Sequence, residues 1–189
     1  MNRVLSTVDH RRLHDLNAKE ICTHRSQVVY WMEASQRTRD NHALLYAIEA
    51  ANTLDRLLTV CVLIEHQPEA SARHLRFMFD GIEDVGKHLH ELGIHFCVKL
   101  DSLPDGVIPL LADAALVVTD VGYLRHQRSW RRSVADQIQC RFVAVETNVV
   151  VPVAIASEKE EYAARTIRRK IEDKVDGFLV GGTLPILRR

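Results

Sequence analysis

Short apolar runs alternate along the chain with longer segments of helical period. Five runs of strand length, rich in β-branched residues, cover residues 28–32, 57–64, 94–98, 116–120 and 141–145. They are apolar at nearly every position and do not alternate with polar residues, which is typical of parallel strands covered on both faces. The pattern therefore predicts a buried parallel sheet.

The segments between these runs repeat apolar residues every three or four positions, as helices do. The first segment can be capped at its start by Asp40 or Asn41. The second carries one apolar stripe over residues 75–92, and Gly93 follows where a helix commonly ends. Five such βα repeats predict an α/β fold: a doubly wound, Rossmann-like parallel sheet of five strands in the order 3-2-1-4-5, with helices on both faces.

The change of pattern along the chain divides it into three parts. An N-terminal extension covers residues 1–25, the α/β domain covers residues 26–148, and a linker-like segment covers residues 149–189. In the last part, Pro152 disfavours a central strand. Ser157 and Glu160 have the spacing of a capping box and predict a final helix that starts there.

Composition limits the classes of protein to consider. The chain has 25 Lys and Arg against 25 Asp and Glu, so a basic site must be local. No apolar stretch approaches the roughly 20 residues that a bilayer requires, and the N-terminus lacks an apolar signal core. We therefore expect a cytoplasmic protein that does not bind membranes.

The cysteines and histidines give little support for a metal site. Four widely spaced cysteines form no CxxC pair and are expected to be reduced, buried thiols: Cys22, Cys61, Cys97 and Cys140. His88 and His90 lie two positions apart on a predicted helix, so they point to different faces and make poor co-ligands.

In open parallel sheets, ligands bind beyond the carboxyl ends of the strands, where the strand order reverses. In the predicted order this point lies between the first and fourth strands, so the loops at 32–37 and 120–125 face each other. They offer polar and aromatic groups for the edge and face of a planar ligand: Gln36, Arg37, Asp120, Tyr123 and Arg125. Alternatively, these side chains only cap helices and bond neighbouring loops.

The catalytic inventory is thin. The sequence contains no GxSxG, P-loop, HExxH or GxGxxG motif, which disfavours a self-sufficient hydrolase or transferase. The turn EASQRTRD after the first strand has no glycine, which also counts against an adenine-nucleotide module with its phosphate cradle. A protein-interaction module is a third option, since Arg125, Arg128 and Arg132 share one helical face that would otherwise be solvated.

Four segments in series resemble the class II DNA photolyases of the cryptochrome/photolyase family. They are VVYWMEASQRTRDNHALLYAI (28–48), RHLRFMFDGIEDVGKHLHELGI (73–94), VVTDVGYLRHQRSWR (117–131) and VETNVVVPVAIASEKEEYAARTIRRKI (145–171). The resemblance extends over residues 9–175.

The resemblance implies a function for the whole family. Its members have an α/β domain that can hold an antenna pigment and a helical domain that binds flavin adenine dinucleotide (FAD) and damaged DNA. Light absorbed by the reduced flavin drives electron transfer that splits a pyrimidine dimer. This chain resembles the first domain and the start of the linker. We therefore expect an antenna-binding or scaffold domain that binds no FAD, performs no repair alone, and meets DNA only through the helical domain.

The resemblance also implies candidate contacts for the antenna, a deazaflavin or a folate held in the crevice at the sheet edge. By position these contacts are Met32, Ala34, Gln36, Arg37, Asp120 and Tyr123. The expectation is that Arg37→Ala weakens chromophore binding, whereas Arg128→Ala, expected on the outer face of its helix, does not.

Overall fold

A computed structural model describes residues 4–65, 70–180 and 183–189 of the chain. Its centre is a six-stranded sheet in the order β1-β6-β5-β2-β3-β4. The strands are β1 (Leu13–Asp15), β2 (Gln27–Trp31), β3 (Leu57–Ile64), β4 (His95–Leu100), β5 (Ala114–Asp120) and β6 (Arg141–Val145). β2 to β6 are parallel, and β1 pairs with β6 in the antiparallel direction.

The predicted order of the five parallel strands is confirmed, because β4-β3-β2-β5-β6 is the order 3-2-1-4-5. The predicted count of five is corrected to six. The extra strand, β1, comes from the segment assigned to an N-terminal extension and has only three residues, too few to show a strand period. Residues 1–3 of that extension and 181–182 of the linker-like segment lie outside the described residues.

Helices cover both faces of the sheet, as predicted. They are α1 (His42–Leu54), α2 (Ala72–Glu91), α3 (Ile108–Leu111), α4 (Arg125–Gln137), α5 (Val153–Ala156) and α6 (Ala164–Val175). α1 and α2 pack on one face in a cluster with Tyr30 and Val60. α3 and α4 pack on the other face with Trp31 and Phe142. Tyr30 and Trp31 are neighbours in β2 that point to opposite faces and are both fully buried.

Local capping follows the sequence for the first two helices but not for the last. Asn41, one of two predicted caps, accepts the N–H of Leu44 at 2.8 Å, and Gly93 has a positive φ of 71° after α2. The predicted capping box at Ser157 is wrong, because Ser157 ends α5 and α6 begins only at Ala164. The Ser157 hydroxyl instead donates to Glu161 at 2.8 Å and holds the loop between the two helices.

The terminal segments pack on this core. Arg12 is 2% exposed and donates to the carbonyls of Glu146, Val149 and Val150, which fixes the loop after β6. All four cysteines are free thiols. Within the described ranges, no helix combines the length and the apolarity needed to cross a bilayer, and no three potential metal ligands cluster together.

Candidate functional site

The turn after β2 wraps around the carboxylate of Asp120, the last residue of β5. Asp120 Oδ2 accepts the backbone N–H groups of Glu33, Ala34 and Ser35 at 3.0, 2.9 and 3.0 Å. Its Oδ1 accepts the hydroxyl of Tyr30 at 2.9 Å. Successive backbone N–H groups form a concave site for an anion, and here the anion is a side chain of the same chain. The glycine-free turn therefore encloses a carboxylate and keeps no free N–H cradle for a phosphate. We call this region the Asp120 seam.

Burial dominates the electrostatics of the Asp120 seam. Asp120 is 1% exposed, and its burial raises the pKa of the carboxyl above the usual range, although the four hydrogen bonds oppose that rise. Burial also raises the pKa of Tyr30 well above its ordinary value, and the Asp120 charge adds to the effect. Tyr30 therefore stays protonated, and its hydroxyl donates a hydrogen bond to Asp120.

Asn41 joins the seam to the start of α1. Its amide nitrogen donates to the carbonyls of Ser35 at 3.0 Å and Arg37 at 2.8 Å, while its oxygen accepts the N–H of Leu44. One buried side chain thus closes the turn and caps the helix. This fixes the path of the backbone between β2 and α1.

Arg37 lies on the α1 side of the seam. Its guanidinium donates to the carbonyls of Asp40 and Thr147 and to the side chain of Asn148, each at 3.2 Å. It lines a cleft of about 380 Å³ between the start of α1, the loop after β6 and residues 178–180. We call this space the Arg37 cleft.

A buried ion pair joins the same turn to α4. Glu33 Oε2 lies 2.9 Å from Arg131 Nη1, and the two side chains are 9% and 6% exposed. Arg131 also donates to the carbonyl of Gly122, whereas Glu33 Oε1 has no hydrogen-bond partner among the described residues. Burial raises the pKa of Glu33 to about 7 against the opposing effect of Arg131, and burial lowers the pKa of Arg131.

Gly122 is required for this close approach of α4. A Cβ at this position would lie 2.6 Å from Arg131 Nη1 and 2.7 Å from Gln127 Oε1, so a side chain there would displace both. The glycine lets the loop after β5 contact the ion pair directly.

On the α4 side of the seam lies an open cleft of about 470 Å³, which we call the Tyr123 cleft. Leu16, Ala144 and Val153 contribute the apolar part of its lining, which we call the apolar floor, and Tyr123 and Arg128 line it as well. It lies between α4 and the short α5, against β1 and β6 and beside the loop that follows β5. The lining therefore combines apolar, aromatic and cationic groups.

Tyr123 is held in place on the wall of this cleft. Its hydroxyl donates to Glu146 Oε1 at 2.9 Å, and the same oxygen accepts the N–H of Val153 at 3.0 Å. Tyr123 remains 43% exposed. Burial and the neighbouring Glu146 raise the pKa of the phenol, which therefore stays protonated.

The six predicted contact residues occupy four environments. Met32 is fully buried in the core. Ala34 and Asp120 meet in the seam, next to the exposed Gln36, whose amide donates to the Glu33 carbonyl at 3.3 Å. Arg37 and Tyr123 line different clefts. Arg128 is exposed on α4, as expected for an outer helix face, and it also lines the Tyr123 cleft, which makes it a candidate contact there.

Several side chains that build this edge were not singled out from the sequence: Tyr30, Glu33 and Arg131. One signal for them was present, since an acid such as Asp120 at the end of an otherwise apolar strand needs donors from a neighbouring element. The turn residues and Tyr30 are the nearest donors in the strand order that was predicted.

Three comparisons identify relatives of this chain. The DNA photolyase family model matches residues 28–179. A deoxyribodipyrimidine photo-lyase of Methanothermobacter thermautotrophicus is 44% identical over 170 residues, which are 89% of this chain and 38% of the relative. One of Potorous tridactylus is 40% identical over 157 residues, 80% of this chain and 29% of the relative.

Among solved structures, an archaeal photolyase from Sulfolobus tokodaii with two FAD molecules superposes with a TM-score of 0.65. Its sequence identity is 14%, and the match covers 78% of this chain and 35% of the other, so it supports the fold alone. Fold and edge geometry define a doubly wound α/β domain with a sealed strand seam and an open cleft beside it. The chain belongs to the DNA photolyase family. It spans less than two fifths of the length of the curated relatives above, and its assignment to class II stays a prediction.

Proposed function

We propose that this chain serves as the α/β domain of a light-driven pyrimidine-dimer photolyase and holds an antenna chromophore in the Tyr123 cleft. Its partner would be the helical domain that carries FAD and the damaged DNA. Membership of the DNA photolyase family supports this role. The chain also matches under two fifths of each relative, which fits one domain of a longer photolyase.

The observation that carries the antenna proposal is the composition and shape of the Tyr123 cleft. Its volume of about 470 Å³ falls within the range of small-molecule sites, roughly 300–1,000 Å³. The Tyr123 ring is half-exposed and anchored through its hydroxyl to Glu146, so it offers a fixed surface against which a planar ring system can stack. The apolar floor would bury the remaining face of a deazaflavin or folate ring.

Binding by this chain alone is expected to be weak. In the intact family the helical domain closes part of the antenna pocket, and removing that wall exposes chromophore surface to water. Losing about 100 Å² of apolar burial costs on the order of 2.5 kcal/mol, near a hundredfold in Kd.

Catalysis is assigned to the partner domain. We expect the purified chain to bind no stoichiometric FAD and to split no cyclobutane dimers under near-ultraviolet or blue light. Stoichiometric flavin, or light-dependent repair by this chain alone, would overturn that assignment. A cytoplasmic location stays a prediction.

The antenna proposal is tested by fluorescence polarisation with a deazaflavin and a folate. Wild type is expected to bind one of them, and Tyr123→Ala is expected to weaken that binding about tenfold through loss of ring stacking. Tyr162→Ala is the matched control, because Tyr162 is 93% exposed and outside the cleft. Thermal melting of each variant checks that the fold is retained. No binding to wild type, or equal loss in both variants, would remove the proposed site.

The competing hypothesis is an adenine-nucleotide module on the same topology. Such a module needs phosphate donors at the turn after β2, and there the N–H groups of residues 33–35 are already bound to Asp120. Equilibrium dialysis with labelled ATP discriminates the two hypotheses. Tight ATP binding without deazaflavin or folate binding would favour the nucleotide module.

A further inference from the structure

We infer that the Tyr123 cleft selects planar chromophores that carry an anionic tail, a phosphate or a carboxylate, which Arg128 and Arg132 bind. The inference rests on the proposed function and deepens it. It separates ligands that share a ring system but differ in the charge of the tail.

The first argument is the arrangement of three arginines along one wall. Arg128, Arg131 and Arg132 all line the cleft. Arg131 is bound by Glu33 and by the Gly122 carbonyl. Arg128 and Arg132 are exposed and take part in none of the ion pairs formed by the residues that the structure describes.

The spacing of the two remaining arginines suits one anion. They are four positions apart on α4, which places their Cβ atoms roughly 5–6 Å apart on neighbouring turns. Like charges at this spacing repel each other, and an anion between them removes that repulsion. A guanidinium presents a planar fork of donors that matches a phosphate or carboxylate.

The acid in the cleft does not neutralise these arginines. The side chain of Glu146 is 3% exposed, and its Oε2 lies 3.7 Å from His14 Nε2. Its Oε1 already accepts the Tyr123 hydroxyl and the Val153 N–H. Among the described residues, Glu146 therefore forms no ion pair with Arg128 or Arg132.

These groups orient a ligand in one way. The ring lies against Tyr123 and the apolar floor, and its tail points along α4 to Arg128 and Arg132. A chromophore with the same ring and a neutral tail loses the two charge-assisted contacts.

The experiment compares flavin mononucleotide (FMN) with riboflavin, which share a ring and differ by the phosphate. Both are titrated into the purified chain at low ionic strength, with flavin fluorescence as the readout. FMN is expected to bind about tenfold more tightly, and the difference should shrink as salt screens the arginines. Arg128→Ala/Arg132→Ala should reduce FMN affinity to that of riboflavin and leave riboflavin unchanged.

A matched double variant, Arg165→Ala/Arg169→Ala, removes two exposed arginines that are also four positions apart but lie on α6, outside the cleft, and should keep the tenfold preference. Folic acid is then added as a competitor against FMN. Displacement shows that a carboxylate tail is accepted as well, and no displacement restricts the site to phosphate.

Equal affinity for FMN and riboflavin in wild type would overturn the inference and leave the proposed chromophore cleft standing. An equal loss of affinity for both flavins in the Arg128→Ala/Arg132→Ala variant would also overturn the inference. Failure of wild type to bind either flavin would overturn the inference and count against the proposed function as well.

Discussion

The Asp120 seam and the Tyr123 cleft lie side by side at the carboxyl edge of the sheet, yet their polar groups are used in opposite ways. In the seam, three backbone N–H groups and the Tyr30 hydroxyl are all bound to one internal carboxylate. In the cleft, Arg128 and Arg132 have no acidic partner among the described residues. The comparison separates residues that hold the edge together from residues that can receive a ligand.

Removing the internal anion should have the largest effect. Asp120→Ala leaves the N–H groups of residues 33–35 and the Tyr30 hydroxyl without their acceptor, at about 1–3 kcal/mol for each buried group that stays unpaired. We expect a total loss of about 3–5 kcal/mol in the free energy of unfolding, measured by urea denaturation. Asp120→Asn, which keeps one acceptor oxygen, should cost less.

The control for this change is Asp136→Ala, an exposed position on α4 that should shift stability by no more than about 0.5 kcal/mol. If Asp120→Ala were as mild as the control, the seam would not depend on its carboxylate.

The Glu33–Arg131 pair should make stability depend on pH. The pKa of Glu33 is raised to about 7 in the folded chain, against an ordinary value of 4.5. The folded state therefore binds the proton more tightly than the unfolded state, and this group lowers stability as pH rises from about 4.5 to 7. Over this pH range the free energy of unfolding falls by about 3 kcal/mol, and Glu33→Gln should abolish this dependence on pH.

Urea denaturation at pH 5 and pH 8 measures this effect. Glu83→Gln, on the exposed face of α2, serves as the control and should follow wild type. If the free energy of unfolding changed with pH in the same way for wild type and Glu33→Gln, folding would not raise the pKa of Glu33.

Arg37 gives the smallest expected effect and distinguishes the two clefts. Because Arg37 lines the Arg37 cleft and not the Tyr123 cleft, Arg37→Ala should change chromophore affinity by less than about twofold. Fluorescence titration beside Arg128→Ala, which is expected to weaken binding of an anionic chromophore, tests this. A tenfold loss of affinity in Arg37→Ala alone would place the chromophore in the Arg37 cleft.

The parallel core could be predicted from the sequence because its strands are apolar at nearly every position. β1 could not, since three residues carry no usable period and pair only because β6 offers an edge. The position of Asp120 at the switch point was predictable, but its role was not. That role depends on the register of β2 and β5, in which Trp31 pairs with Thr119 and Asp120 therefore faces the turn.

The arginines of α4 illustrate the same limit. Helical spacing groups Arg125, Arg128 and Arg132 on one face, but it does not reveal what that face meets. Packing of Val134 and Ala135 against the sheet buries Arg131 and brings Arg128 to the Tyr123 cleft. These contacts depend on tertiary structure, so helical spacing alone does not show which arginines of this helix are buried and which line a cleft.

The most direct test of this account is an amide chemical-shift titration of the isotopically labelled chain with FMN. If the Tyr123 cleft holds the chromophore, the largest shifts fall at Gly122, Tyr123 and Ala144, around that cleft. The amide signals of Ala34 and Ser35, which are bound to Asp120, then keep their chemical shifts. Large shifts at Ala34, Ser35 and residues 147–148, with none around Tyr123, would contradict this account.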